Sequence, residues 1–122
     1  MKNLRIVFAD DSPFIRGKIR EALADVPGLV AVGEAANGAE AFWLYHQIRP
    51  DILILDLSMP SPSGLEVLHE IRKKDKETTI IVFTTDPIMM LKDAALVAGA
   101  NFYFDKADLS SVVKICKMLQ EE

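Results

Sequence analysis

The chain has 122 residues, half of them apolar and 26% charged, with a formal net charge of −4. This suffices for one packed core, read as a single domain over 1–122, and the acidic balance without a dense basic run argues against a nucleic-acid surface. The lone Cys116 excludes a disulfide framework, no apolar run approaches the roughly 18 residues of a spanning helix, and the start lacks signal-peptide architecture, so a cytoplasmic protein is expected.

Leu4 to Ala9 is strand-like and ends in the acids Asp10 and Asp11. Ser12-Pro13 then offers an N-cap serine and a proline at the first helical position. Ile15, Ile19, Ala22, Leu23 and Val26 recur at helical spacing, and Pro27-Gly28 stops that helix. Leu29 to Ala35 reads as a second strand. Asn37 and Glu40 have capping-box spacing for the next helix, whose stripe is Ala41, Leu44, Tyr45 and Ile48. Trp43 lies beside that stripe and is expected to be partly exposed, while His46 and His69 are expected on the surface.

Ile52 to Leu57 is an apolar run interrupted by one carboxylate, Asp56, and suits a strand buried on both faces. The loop Ser58 to Gly64 delivers a helix carrying Leu65, Leu68 and Ile71, and Arg72-Lys73-Lys74 reads as its solvated end. Thr79 to Thr85 is a fourth strand, followed by a weaker helix from about Pro87 to Ala98. Met89-Met90-Leu91 gives that helix an apolar start, suited to packing on the sheet or to an adaptable partner surface. Asn101 to Asp105 is the fifth strand, and a last helix from about Leu109 to Leu119 is capped by Asp108.

Five strand–helix units of this size predict an α/β fold with a parallel five-stranded sheet covered on both faces. The expected strand order is 2-1-3-4-5, a flavodoxin-like three-layer sandwich with strands one and three meeting at the topological switch point. Asp10, Asp11 and Asp56 then converge, and three crowded carboxylates require a cation or raised pKa values. Oxygen ligands without His or Cys favour Mg²⁺, or Mn²⁺, over zinc. Thr84 and Lys106, at the ends of strands four and five, add a hydroxyl and an ammonium. Together these groups suit a phosphoryl group built on Asp56.

With Asp10-Asp11, Asp56, Met59-Pro60, Gly64-Leu65, Thr84, Gly99-Ala100, Tyr103 and Lys106 in this order, the chain resembles the receiver domain of two-component response regulators along its whole length. The resemblance implies that Asp56 is the phosphoacceptor, attacking a phosphohistidine on a sensor histidine kinase or histidine phosphotransfer protein. It further implies that Asp11, Asp56 and the backbone carbonyl of Ser58 bind Mg²⁺, with Asp10 acting through water. Lys106 and Thr84 would hold phosphoryl oxygens, and Thr84 with Tyr103 would form a two-state switch that changes contacts with a downstream protein target. A chemotaxis-type stand-alone receiver is expected, without direct DNA or membrane binding. It would be a monomer or a weak homodimer through the fourth helix, fifth strand and fifth helix.

Three departures from the family pattern bear on kinetics. Lys106 is followed by Ala107 rather than proline, and a cis bond there would cost roughly 2.5–4 kcal/mol, so a trans or locally strained bond is expected. Thr85 is bulkier than the small residue common in relatives, and Ser61-Pro62-Ser63 replaces a more acidic loop. A haloacid-dehalogenase-like phosphohydrolase is disfavoured because Ser58 stands where that class needs a second acid. A degenerate receiver acting only by binding is disfavoured by the intact acids, Thr84 and Lys106.

Overall fold

A computed structural model describes residues 2–85 and 90–122. The strands are β1 (Leu4–Ala9), β2 (Leu29–Ala35), β3 (Ile52–Leu55), β4 (Thr79–Thr84) and β5 (Phe102–Asp105). The helices are α1 (Pro13–Ala24), α2 (Gly38–Ile48), α3 (Gly64–Arg72), α4 (Met90–Ala98) and α5 (Leu109–Gln120). All strand pairs are parallel, in the order β2-β1-β3-β4-β5. Positions 87–89 of the expected fourth helix, including Met89, lie outside the described residues.

Alternation along the strands sorts the core into two layers, because successive side chains point to opposite faces. Ile6, Phe8, Ile52 and Ile54 pack with Ile19 and Leu23 of α1 and Val112 and Cys116 of α5. Val7, Ala9, Leu53 and Leu55 pack with Tyr45 of α2, Leu68 of α3 and Ala95 of α4. All four residues of β3 are fully buried. Each such side chain is worth about 1.5–3 kcal/mol of burial, which fixes the central strand.

Side chains cap the starts of α1, α2, α3 and α5. Ser12 Oγ accepts from the Ile15 amide, Asn37 Oδ1 from Glu40, Ser63 Oγ from Glu66 and Asp108 Oδ1 from Ser111. Glu40 returns its bond one residue earlier than a capping box predicts, to the Ala36 amide. β3 ends at Leu55, two residues before its expected end, because the Ser58 amide turns back to donate to the Asp56 carboxylate. Thr85 and Asn101 likewise fall just outside β4 and β5. Lys106–Ala107 is trans, and the cis bond among the described residues is Ser61–Pro62.

Arg72 is not part of a solvated helix end. It is buried, and its guanidinium donates to the carbonyls of Gly99 (2.9 Å), Asp75 (3.0 Å) and Thr78 (2.7 Å) and to Asn101 Oδ1 (2.9 Å). Asn101 Oδ1 also accepts from the Ile80 amide, so one side chain knits the ends of α3 and α4 to the starts of β4 and β5. Gly99, at φ +115°, completes the joint: a Cβ there would lie 2.7 Å from Arg72 Cγ. Beside it, Asp75 accepts from the hydroxyls of Tyr45 and Thr78 and the amides of Glu77 and Thr78. Burial opposes ionisation of Asp75, but these donors outweigh it and hold the carboxyl below its ordinary range.

Candidate functional site

The last rung between the two central strands pairs Ala9 with Leu55, so the following residues, Asp10 and Asp56, emerge side by side at the carboxyl end of the sheet. The Asp56 amide donates to the Ala9 carbonyl and the Asp10 amide to that of Ala35, fixing both backbones. Both acids are buried, whereas Asp11 is exposed. One carboxylate oxygen from each of Asp10, Asp11 and Asp56 falls within a 4.8 Å cluster. Thr84 pairs with Asp105 on the last rung of β4 and β5, and the Lys106 amide donates to the Thr84 carbonyl, which carries the lysine to the same place.

Asp56 is held at both oxygens. Oδ1 accepts from Thr84 Oγ1 (2.8 Å) and the Ser58 amide (3.1 Å), and Oδ2 accepts from Lys106 Nζ (3.1 Å). Lys106 Nζ also lies 2.9 Å from Asp10 Oδ2, an ion pair outside hydrogen-bond geometry. That oxygen is buried without a hydrogen bond among the described residues, while Asp10 Oδ1 accepts from the Ser12 amide at 2.9 Å. Burial raises the Asp10 carboxyl above its ordinary value, and the charge of Asp56 pushes the same way; Ser12 and Lys106 only partly offset them. Burial alone would lower Lys106, but Asp10 and Asp56 hold its ammonium above the ordinary value.

Gly64 explains how the loop after β3 stays closed over this site. A Cβ at Gly64 would lie 2.0 Å from the Asp56 carbonyl oxygen and 2.7 Å from Leu57 Cα, so α3 can start this close only from glycine. Tyr103 is half-buried and packs with the core layer that contains Ala95 of α4. Ser58 is exposed, and Thr85 is exposed beside the site. His46 and His69 are surface residues away from it.

The donor set fits a hard divalent cation. Among the described residues it contains only oxygen, it clusters three carboxylates against the Lys106 ammonium, and it includes a buried oxygen lacking a hydrogen bond. Mg²⁺ retains waters and needs few carboxylates, which suits one exposed and two buried acids.

A parallel 2-1-3-4-5 sheet with three acids, a hydroxyl and an ammonium gathered at its switch point defines an aspartate-centred site on a flavodoxin-like fold. The chain belongs to the response regulator receiver domain family, which its sequence matches over residues 6–117. It is 35% identical over 101 residues to the nitrate/nitrite response regulator NarL of Escherichia coli, covering 83% of this chain and 47% of NarL. The chain thus spans about half the length of that relative. It is 32% identical to chemotaxis protein CheY of Thermotoga maritima, covering 84% of each. A LuxR-family two-component response regulator from Aurantimonas superposes with TM-score 0.89 at 33% identity, covering 98% of this chain and 86% of that one. Receiver domains of this family serve phosphorelay signalling and bind Mg²⁺ in an acidic pocket.

Proposed function

We propose that this receiver takes a phosphoryl group from a histidine kinase or histidine phosphotransfer protein onto Asp56 and passes the charge change to a protein target. The observation that carries this is the pair of cationic and hydroxyl donors, Lys106 and Thr84, on the two oxygens of one buried strand-end carboxylate. An Asp56 oxygen forms a bond to phosphorus as the phosphorus–nitrogen bond of the donor breaks, its electron pair returning to the imidazole. Lys106 and Thr84 transfer their hydrogen bonds from the carboxylate to phosphoryl oxygens, stabilising charge on the equatorial oxygens. Asp11, Asp56 and the Ser58 carbonyl are the residues to hold Mg²⁺, with Asp10 acting through water; the ion supplies further charge neutralisation.

Thr84 is buried and holds Asp56, and in this reading its movement toward a phosphoryl group vacates space near β5 that the Tyr103 ring takes up. The exposed Met90 and Val97 of α4 lie on the neighbouring helix and form part of the surface offered to the target or to a second copy. Incubation with Mg²⁺ and acetyl phosphate should give one acid-labile phosphate per chain, detected by mass, and D56N should abolish it. Undiminished labelling of D56N would reject Asp56 as the acceptor. Rapid turnover of unrelated phosphate esters would instead favour a hydrolase.

A further inference from the structure

Arg16 and Glu34 have no part in that chemistry, yet Arg16 reaches the backbone between the two acids and Glu34 holds Arg16. β1 and β2 pair in step through Leu4↔Leu29, Arg5↔Val30 and Ile6↔Ala31, then shift by one residue to Val7↔Gly33 and Phe8↔Glu34. In-step pairing would put Glu34 opposite Ala9, on the sheet face covered by α2, α3 and α4. The shift puts it opposite Phe8 instead, on the face covered by α1.

There Arg20 clamps Glu34 with two bonds of 2.8 Å, and Arg16 Nε donates to Glu34 Oε1 at 3.2 Å. The other branch of Arg16, Nη1, donates to the Asp10 carbonyl at 2.7 Å. Arg16 is the sheltered member of the pair, its side chain 17% exposed against 53% for Arg20. The Asp10 carbonyl lies past the last rung of β1 and belongs to the peptide unit joining Asp10 to Asp11. Holding that unit fixes ψ of Asp10 and φ of Asp11, the two soft torsions that set where the chain carries Asp11 relative to Asp10.

We infer that Arg16, oriented by Glu34, is a positioning residue for the Mg²⁺ ligands: it locks the Asp10–Asp11 peptide so that both acids face Asp56. The inference rests on the proposed Mg²⁺ site. Its test has a distinctive sign, because removing a positive charge beside a cation site should tighten the cation if charge alone mattered. Loss of positioning does the opposite.

The experiment is titration of the full chain with MgCl₂, without phosphodonor, followed by amide NMR and calorimetry. R16M is expected to weaken Mg²⁺ by about 10-fold, the scale of outer-shell effects on metal sites. R16K keeps the charge but lacks the fork, and is expected to fall between R16M and wild type; it also serves if R16M does not fold. Before any Mg²⁺ is added, both variants should shift the Asp11 amide. Equal or tighter binding by R16M, or by R16K if R16M does not fold, with an unmoved Asp11 amide, overturns the inference. If the wild type itself binds no Mg²⁺, the metal reading fails, and the metal-free Asp11 shift still decides whether Arg16 holds the acid pair.

Discussion

Asp10 is the residue whose environment is least comfortable without a metal. It is fully buried, one oxygen lacks a hydrogen bond, and burial with Asp56 nearby raises its carboxyl pKa. The folded chain therefore binds this proton more readily than the unfolded chain. Metal-free stability falls as pH rises from the ordinary value of 3.8 through the raised folded value, and remains lowered at pH 7. Replacing the carboxylate by an amide removes that cost, at the loss of the ion pair with Lys106. D10N should be more stable than wild type in metal-free urea denaturation at pH 7, by about 1 kcal/mol, with the gap closing toward pH 4. A less stable D10N at pH 7 would show that the Lys106 pair outweighs burial.

At the scale of elements, the sheet presents the site and the loops at its opposite end hold the helices in place. Arg72 joins α3, α4, β4 and β5 through four hydrogen bonds, all to neutral acceptors. Truncating it takes this donor from the Gly99 and Thr78 carbonyls and leaves Asn101 Oδ1 with the Ile80 amide alone, at a cost of about 1–3 kcal/mol for each buried group left unsatisfied. R72M should lose about 3 kcal/mol by chemical denaturation, with faster amide exchange concentrated at the end of α4 and the start of β5. Uniformly faster exchange would mean that Arg72 supports the fold in general and not this joint. Arg72 had a signal in the sequence. Leu65, Leu68 and position 72 share one helical face at spacing i, i+3, i+7, which places it inward despite its charge.

For the whole molecule, the acid cluster links metal binding to folding. A ligand that binds only the folded state stabilises it by about 2.7 kcal/mol at 100 times its dissociation constant. Thermal unfolding should shift upward with MgCl₂ in the wild type and barely move in D11N, which keeps the buried acids but loses the exposed one. An equal shift in both would remove Asp11 from the metal site.

By itself the sequence determined the five alternating units and the strand order, and it brought five polar side chains to one end of the sheet. Hydrophobic period, capping residues and strand-end polar residues are local signals, and right-handed crossover leaves few ways to assemble them. Asp10, Asp11, Asp56, Thr84 and Lys106 each stand at or just beyond a strand end, so a parallel sheet of this order alone brings them together. The tertiary structure decided what depends on neighbours distant in the chain. Arg72 became a buried joint because Gly99, Thr78 and Asn101 surround it with acceptors. Glu34 turned toward α1 because the β1–β2 register slips by one residue, and Arg16 thereby met the carbonyl between the two acids. A register shift is set by packing across the sheet and no spacing along the chain encodes it, whereas spacing turns Arg72 inward but leaves its acceptors to be supplied by residues of other elements.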